Sequence, residues 1–199
     1  MSLTPTEKTL RFFIKPILFI SCLIPFIALV FGAVNNTLGV NPVETMTHET
    51  GDWTLRLLLT TLMITPLRRL TRQSWLIRLR RMLGLYAFFY ACLHFMTYIW
   101  FDQYFDWMEI VKDIPKRPFI TVGFTAFVLM IPLAATSTNN MMRRLKKNWV
   151  KLHKLIYVIA VLGVLHFLWL VKADILEPMV YASVLLILLV YRAYYQRTR

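Results

Sequence analysis

Residues 149–172 read WVKLHKLIYVIAVLGVLHFLWLVK, and the prediction of the fold depends on this segment. The segment begins with lysines and is apolar from Leu155 to Val171, which is long enough for a membrane-spanning helix. It contains His153 and His166, two of the chain's four histidines. Because an imidazole in lipid hydrocarbon is costly without a partner, a histidine at such a position indicates a functional site.

The chain contains several further apolar segments, which indicate a membrane protein. The chain has 199 residues, of which 58% are hydrophobic, above the roughly 45–50% of soluble domains. The apolar residues form six segments, which predict an all-α bundle of six transmembrane helices in a single domain, residues 1–199. The predicted helices are about 16–34, 53–67, 82–101, 118–135, 153–171 and 178–195.

The segments between these helices have distinct compositions. Residues 35–52 are rich in turn-forming residues and predict a loop, in which His48 is expected to be solvated. Residues 68–81 carry six arginines and predict an amphipathic connector on an anionic lipid leaflet. Residues 102–117 predict an acidic and aromatic loop, with Asp102, Asp106, Trp107 and Glu109.

The basic residues predict the orientation. Six spans place both termini on one side, together with the segments 68–81 and 143–154. That side holds eighteen Lys and Arg residues, whereas the opposite side holds five, Lys172 among them. Both termini are therefore expected in the cytoplasm. The same placement accounts for the net charge of +13, so binding to nucleic acid is not expected.

The cysteines indicate no cofactor site. Cys22 and Cys92 both lie within apolar segments, where they are expected to act as small apolar side chains. No C-x-x-C-H motif is present, which excludes the usual covalent attachment of haem. The chain also lacks a G-x-G-x-x-G or P-loop motif, so no nucleotide-binding domain is expected.

A third histidine pairs with His166. His94 lies in the segment 82–101, 13 residues after Arg81, and His166 lies 12 residues after Lys154. At about 1.5 Å per residue, both are roughly 18–20 Å from the cytoplasmic edge on parallel helices. Two imidazoles at one depth can supply the axial ligands of a haem iron, while the porphyrin fills the equatorial positions. We therefore predict that His94 and His166 bind haem.

His153 has a different position, at the cytoplasmic edge. It is 13 residues from His166 and thus roughly 140° away around an ideal helix. The residue at its depth on the third helix is Arg80 or Arg81, so a second haem there would need another ligand, such as water. A contact with a cofactor edge, a propionate or an electron donor is an equal alternative for His153.

Several motifs together resemble one family. The chain is similar to the MsrQ family (formerly YedZ), haem subunits within the ferric-reductase-like transmembrane group, over nearly its whole length. The matching segments are LGVNP (38–42), MITPL (63–67), LIRLRRMLGL (76–85), CLHFMTY (92–98), TST and the basic run after it (from 136), WVKLHKLIYV (149–158) and LHFLWLVK (165–172).

The resemblance implies an electron-transfer subunit of the bacterial inner membrane with haem b and FMN. Its electrons are implied to come from the quinone pool or a cytoplasmic flavin reductase. They pass to MsrP, a periplasmic molybdopterin-containing partner that reduces methionine sulfoxide in envelope proteins. The wider group often has two histidines on each of two helices, whereas the third helix here has one, so one haem or two both remain open. No catalytic residue is expected on this chain.

Two other interpretations remain compatible with the residues alone. One is a stand-alone ferric or quinone reductase of the cytochrome b type, against which the missing nucleotide-binding domain argues. The other is a non-redox membrane anchor or small transporter, whose histidines would pack or relay protons.

Overall fold

Helices make up almost all of the chain in a computed structural model, which describes residues 5–171 and 175–197. No strand occurs among these residues, which confirms the all-α class. The α-helices are α1 (Pro5–Thr9), α2 (Lys15–Val34), α3 (Pro42–Thr71), α4 (Arg80–Thr97), α5 (Trp107–Lys116), α6 (Pro118–Ala135), α7 (Asn139–Leu145), α8 (Lys147–Leu152), α9 (Leu155–Leu170) and α10 (Leu176–Arg197). Leu10–Ile14 and Tyr98–Asp102 are π-helical and Ser74–Arg78 is a 3₁₀-helix.

Five helical stretches of the described residues are long and apolar enough to cross a membrane. They are Glu7–Val34, Ser74–Asp102, Pro118–Ala135, Lys147–Leu170 and Leu176–Tyr195. These stretches overlap five of the six predicted spans. The sixth, 53–67, lies within α3, whose apolar run is shorter than the roughly 20 residues that a crossing needs.

The predicted loop at 35–52 is wrong over most of its length, because α3 already begins at Pro42. The Asn41 side chain accepts a hydrogen bond from the Glu44 backbone N–H at 3.3 Å, and Pro42 occupies the first helical turn. An N-cap, a proline and an acid in this order start a helix, whatever the polarity of the residues after them. His48 therefore lies on a helix, with its side chain exposed.

The connectors also contain more helix than predicted. The segment 68–81, predicted as an amphipathic connector, contains the end of α3 at Thr71, then Arg72 in the left-handed region with φ 57°, and then the 3₁₀-helix Ser74–Arg78. The link before α9 holds the short helices α7 and α8. The segment 102–117 contains α5, whose first turn is capped by the Asp106 side chain. Lys172 lies outside the described residues.

Two antiparallel helix pairs form the centre of the bundle. In the α3–α4 pair, Thr47 lies against His94, and Thr61 lies against Gly84. In the α6–α9 pair, Phe119 lies against His166, and Thr136 at the other end accepts a hydrogen bond from Trp149. Arg80 of α4 contacts Tyr157 of α9, and His94 further along α4 faces His166 further along α9, so α4 and α9 run in the same direction and bring their histidines to one end.

A buried tyrosine of α4 fixes α2 to this centre. The Tyr90 hydroxyl accepts a hydrogen bond from Phe26 N–H at 3.1 Å and donates one to the Cys22 carbonyl at 2.8 Å. In an uninterrupted helix, Phe26 N–H would donate to the Cys22 carbonyl directly. The hydroxyl thus enters the backbone ladder of α2 beside Pro25, a common place for a helix to open.

Arg56 connects α3 to α10 at the end of the bundle where the two central histidines lie. Its guanidinium donates to the Tyr181 hydroxyl at 2.9 Å and pairs with Asp52 at 3.1 Å and Glu177 at 3.8 Å. It also lies over the Trp53 ring, 5.2 Å from its centre. Arg56 is therefore held by protein partners, in addition to any contact with the membrane surface.

Candidate functional site

His94 of α4 and His166 of α9 face each other across the interior of the bundle. Their ring centroids are 6.1 Å apart, and the ring planes are inclined by 76°. His94 is three residues before the end of α4, which continues into the π-helix Tyr98–Asp102, and His166 is four residues before the end of α9, so both lie towards the same end of the bundle. The two side chains from distant parts of the sequence therefore form one site.

Each ring is held by a backbone carbonyl of the neighbouring helix. His94 Nδ1 lies 2.9 Å from the carbonyl oxygen of Thr47, and His166 Nδ1 lies 2.7 Å from that of Phe119. A carbonyl oxygen only accepts hydrogen bonds, so each Nδ1 carries the proton. Each Nε2 then keeps its lone pair, which is the usual state of a histidine that ligates a metal.

The spacing of the rings fits one metal ion between them. A bond from a metal to an imidazole nitrogen is about 2.0–2.1 Å, and the nitrogen lies about 1.1 Å from the ring centre, so two opposed ligands put the centroids roughly 6.3 Å apart. The observed 6.1 Å agrees with this separation. Within the described residues, no group of three or more His, Cys, Asp or Glu side chains could hold a metal. A macrocycle such as haem supplies four equatorial nitrogens and needs only two axial ligands, the number of imidazoles present here.

Two glycines leave the room that the rings occupy. A Cβ atom on Gly123 of α6 would lie 2.7 Å from His166 Nδ1, closer than such atoms approach in proteins. A Cβ atom on Gly51 of α3 would lie 3.1 Å from His94 Cε1. Each glycine is one helical turn after the carbonyl that binds the same ring, at Phe119 and Thr47.

The two halves of the site repeat one pattern, which interpretation of the sequence missed. Leu-His-Phe occurs at 93–95 and again at 165–167, and each histidine follows its glycine by 43 residues and its carbonyl partner by 47. This repeated spacing is visible in the sequence and could have identified Gly51 and Gly123. The spacing places Gly51 on α3, which packs against α4, and Gly123 on α6, which packs against α9.

Replacing Gly123 by alanine is expected to weaken metal or haem binding by roughly tenfold or more, the usual effect of disturbing a ligand's supporting contacts. The new methyl group would displace the His166 ring and break its hydrogen bond to Phe119. The measurement is the haem content of the purified variant, from its absorbance relative to total protein.

Gly163→Ala is the matched control, because it makes the same change on α9, the helix of His166, without adding an atom close to the ring. Its Cβ would lie 3.6 Å from Leu55 Cδ1, an ordinary contact. Alanine also favours helix by about 1 kcal/mol relative to glycine, so this variant should keep its haem. Equal haem loss in both variants would mean that the contact with the ring is not the cause.

His153 is not part of this pair. It lies at the C-cap of α8, at the opposite end of α9 from His166. Its Nδ1 is 3.1 Å from the Trp149 carbonyl oxygen, and its ring stacks on the Trp149 ring at 3.9 Å. Its Nε2 is buried without a well-formed hydrogen bond among the described residues, although the Leu133 backbone is near.

The residue near His153 on α4 is an arginine. Arg80 interacts electrostatically with His153, as expected from their equal depth, and it does not supply a second imidazole for a haem.

The acidic and aromatic segment 102–117 lies at the opposite end of the bundle, together with His94 and His166. There Asp102, Asp106, Trp107 and Glu109 are exposed. Asp113 is buried and paired with Arg117 at 2.8 Å, so it is not available on that surface.

Comparisons with known proteins agree on one family. The model of the family described as "Ferric reductase like transmembrane component" matches residues 50–164. A Herminiimonas arsenicoxydans protein is 55% identical over 195 residues, covering 96% of this chain and 88% of its own length. An Azospira oryzae protein is 50% identical over 194 residues, covering 96% and 83%.

A Xanthomonas campestris pv. campestris protein is 59% identical over 160 residues, covering 80% of this chain and 73% of its own length. All three relatives carry the name protein-methionine-sulfoxide reductase heme-binding subunit MsrQ. No solved structure matches the chain.

Proposed function

The chain belongs to the MsrQ family within the ferric-reductase-like transmembrane group, and from this we propose that it is a haem b electron-transfer subunit of a methionine sulfoxide reductase system. The observation that carries the proposal is the opposed pair His94 and His166, with both Nδ1 atoms bonded to carbonyls and both Nε2 atoms left for iron. When bound between them, haem supplies reversible one-electron chemistry.

The protein's own part is to hold the two imidazoles in position. The carbonyl oxygens of Thr47 and Phe119 accept hydrogen bonds from the two Nδ1–H groups, which fixes the tautomer and orientation of each ring. Gly51 and Gly123 let the neighbouring helices approach the rings closely. Such rigid support favours rapid electron transfer, since little in the site has to move when the charge on the metal changes.

The proposal includes a route across the bacterial inner membrane. Electrons enter from the quinone pool or a cytoplasmic flavin reductase, with FMN as a further cofactor, and leave to the periplasmic molybdopterin-containing partner MsrP. MsrP then repairs oxidised methionine in envelope proteins. The support is the charge distribution: the histidine pair lies at the end opposite the basic segments 68–81 and 143–154, whose positive charge favours the cytoplasm.

We also propose that α3 is the sixth crossing, which leaves residues 1–199 as one domain with both termini cytoplasmic. The helix runs beside α4 from the Thr47–His94 contact to the Thr61–Gly84 contact, and so covers most of the depth of α4. Leu57, Leu58 and Leu59 are buried between the other helices, which compensates for the short apolar run. With five crossings instead, the termini would lie on opposite sides.

An absorption spectrum of the purified protein tests the haem. The expected result is a Soret band together with sharp α and β bands that develop on reduction with dithionite, as low-spin haem with two axial imidazoles gives. A protein purified in folded form from haem-supplied cells without these bands would contradict the proposal. It would favour an anchor or transporter whose histidines only pack.

A further inference from the structure

A cavity lies at the basic end of the bundle, between the end of α3, the start of α9 and the end of α10. Its volume is about 250 Å³, close to the lower limit of the roughly 300–1,000 Å³ of ligand pockets. Leu62, Leu188 and Leu189 form its apolar part. Its polar part includes two arginines and three tyrosines: Arg69, Arg192, Tyr157, Tyr191 and Tyr195.

The two arginines are held in place by aromatic rings. The Arg69 guanidinium lies over the Tyr195 ring, 4.7 Å from its centre, and that of Arg192 lies over the Tyr157 ring, also at 4.7 Å. Stacking on a ring fixes the plane of a guanidinium while its N–H groups remain free to donate. The Arg192 Nε atom is buried and has no hydrogen-bond partner among the described residues.

No carboxylate of the described residues forms an ion pair with the arginines of this cavity. Arg80 of α4 also interacts with Tyr157 and with Arg192, which places a third guanidinium nearby. Within the part of the chain that the structure describes, the arginines of the ion pairs are Arg56, Arg78 and Arg117. Arg69, Arg80 and Arg192 are absent from this set. Clustered cations that are partly buried are costly unless an anion joins them.

We propose that this cavity binds a phosphate group through Arg69 and Arg192, with the apolar or aromatic remainder of the ligand against Leu188, Leu189 and the tyrosine rings. Guanidinium groups bind phosphate through paired hydrogen bonds, and planar arginines suit this geometry better than lysines. Two sources carry such a group at this face: the headgroup of an anionic phospholipid, and a soluble phosphate-bearing aromatic molecule, for which FMN is the probe. The choice of FMN as the probe, and a role of a bound flavin as electron donor, rest on the proposed function, whereas the phosphate site itself does not.

The test uses the full chain purified in a neutral detergent, with two probes. FMN binding is followed by quenching of its fluorescence, with riboflavin, which lacks the phosphate, as the comparison. Phosphatidylglycerol binding is followed by native mass spectrometry, with zwitterionic phosphatidylcholine as the comparison. Arg69→Gln and Arg192→Gln should each weaken binding of the true ligand by roughly tenfold or more, since each removes a charge-assisted hydrogen bond.

Arg68→Gln is the matched control, because it removes the same charge from the neighbouring position of α3, outside the cavity lining. It should bind like the unmodified protein. Selective loss of FMN binding in the two cavity variants identifies a soluble ligand, selective loss of phosphatidylglycerol identifies a lipid headgroup, and loss of both identifies a site that the two share.

The proposal is overturned if the unmodified protein binds neither probe, if both cavity variants bind as well as the unmodified protein, or if Arg68→Gln weakens binding equally. The haem spectrum is recorded on the same samples. A haem-free protein that still shows Arg69-dependent binding would contradict the proposed function and leave the phosphate site standing, so the two failures are distinguishable.

Discussion

Replacing His94 or His166 by alanine is expected to abolish the low-spin haem spectrum, because each change removes one axial ligand of the iron. The two substitutions should have similar effects, since the two rings have equivalent support: one carbonyl at Nδ1 and one glycine beside the ring. The reduced and oxidised absorption spectra of the purified variants measure the loss, with haem content determined separately.

Two further histidines provide the controls. His48→Ala changes an exposed side chain on α3, next to Thr47, and should keep the spectrum unchanged. His153→Ala should keep most of the haem, because His153 lies at the opposite end of α9 from His166. If His153→Ala removed the haem while His94→Ala kept it, the pairing of His94 with His166 would be wrong.

Hydropathy predicted the apolar helices well, because a membrane crossing requires a long apolar run with few charges. The predicted helix 118–135 has the bounds of α6, and the segment 178–195 lies within α10. The extension of α3 back to Pro42 was missed, since residues 42–52 are polar. The capping signal at Asn41 and Glu44 was the evidence for it.

The depth of the histidines followed from helix rise alone, whereas their surroundings did not. Two residues the same number of turns from a charged edge must lie at one depth if their helices are parallel. The rotation of α9 about its own axis could not be predicted, because α9 is apolar on all sides and its sequence shows no preferred face. The contacts of His166 with Gly123 and Phe119 therefore required the packed structure. The angle between His153 and His166 assumed one continuous helix, and the break between α8 and α9 at His153 means that this assumption does not hold.

The position of the histidine pair also bears on the direction of electron flow. His94 and His166 lie near the C-terminal ends of α4 and α9, at the end of the bundle that carries the segment 102–117. That segment exposes Asp106, Trp107 and Glu109, a surface on which a soluble partner could dock. In the proposed function, an electron on a haem between these histidines would have a shorter path to this surface than to the basic segments at the other end.

Reduced protein mixed with methionine sulfoxide alone is therefore expected to reoxidise slowly, and at least roughly a hundredfold faster once the molybdenum-containing partner is added. A hundredfold acceleration by the partner is a small effect for catalysis, because enzymes accelerate their reactions by about 10⁶-fold or more. The physical reason is that, in the proposed relay, the haem held by His94 and His166 only carries the electron and the sulfoxide is reduced on the partner. Stopped-flow absorbance of the reduced α band measures the rate, and partner protein prepared without molybdenum is the control. Rapid reoxidation by the sulfoxide without any partner would contradict the relay and make this chain itself the reductase.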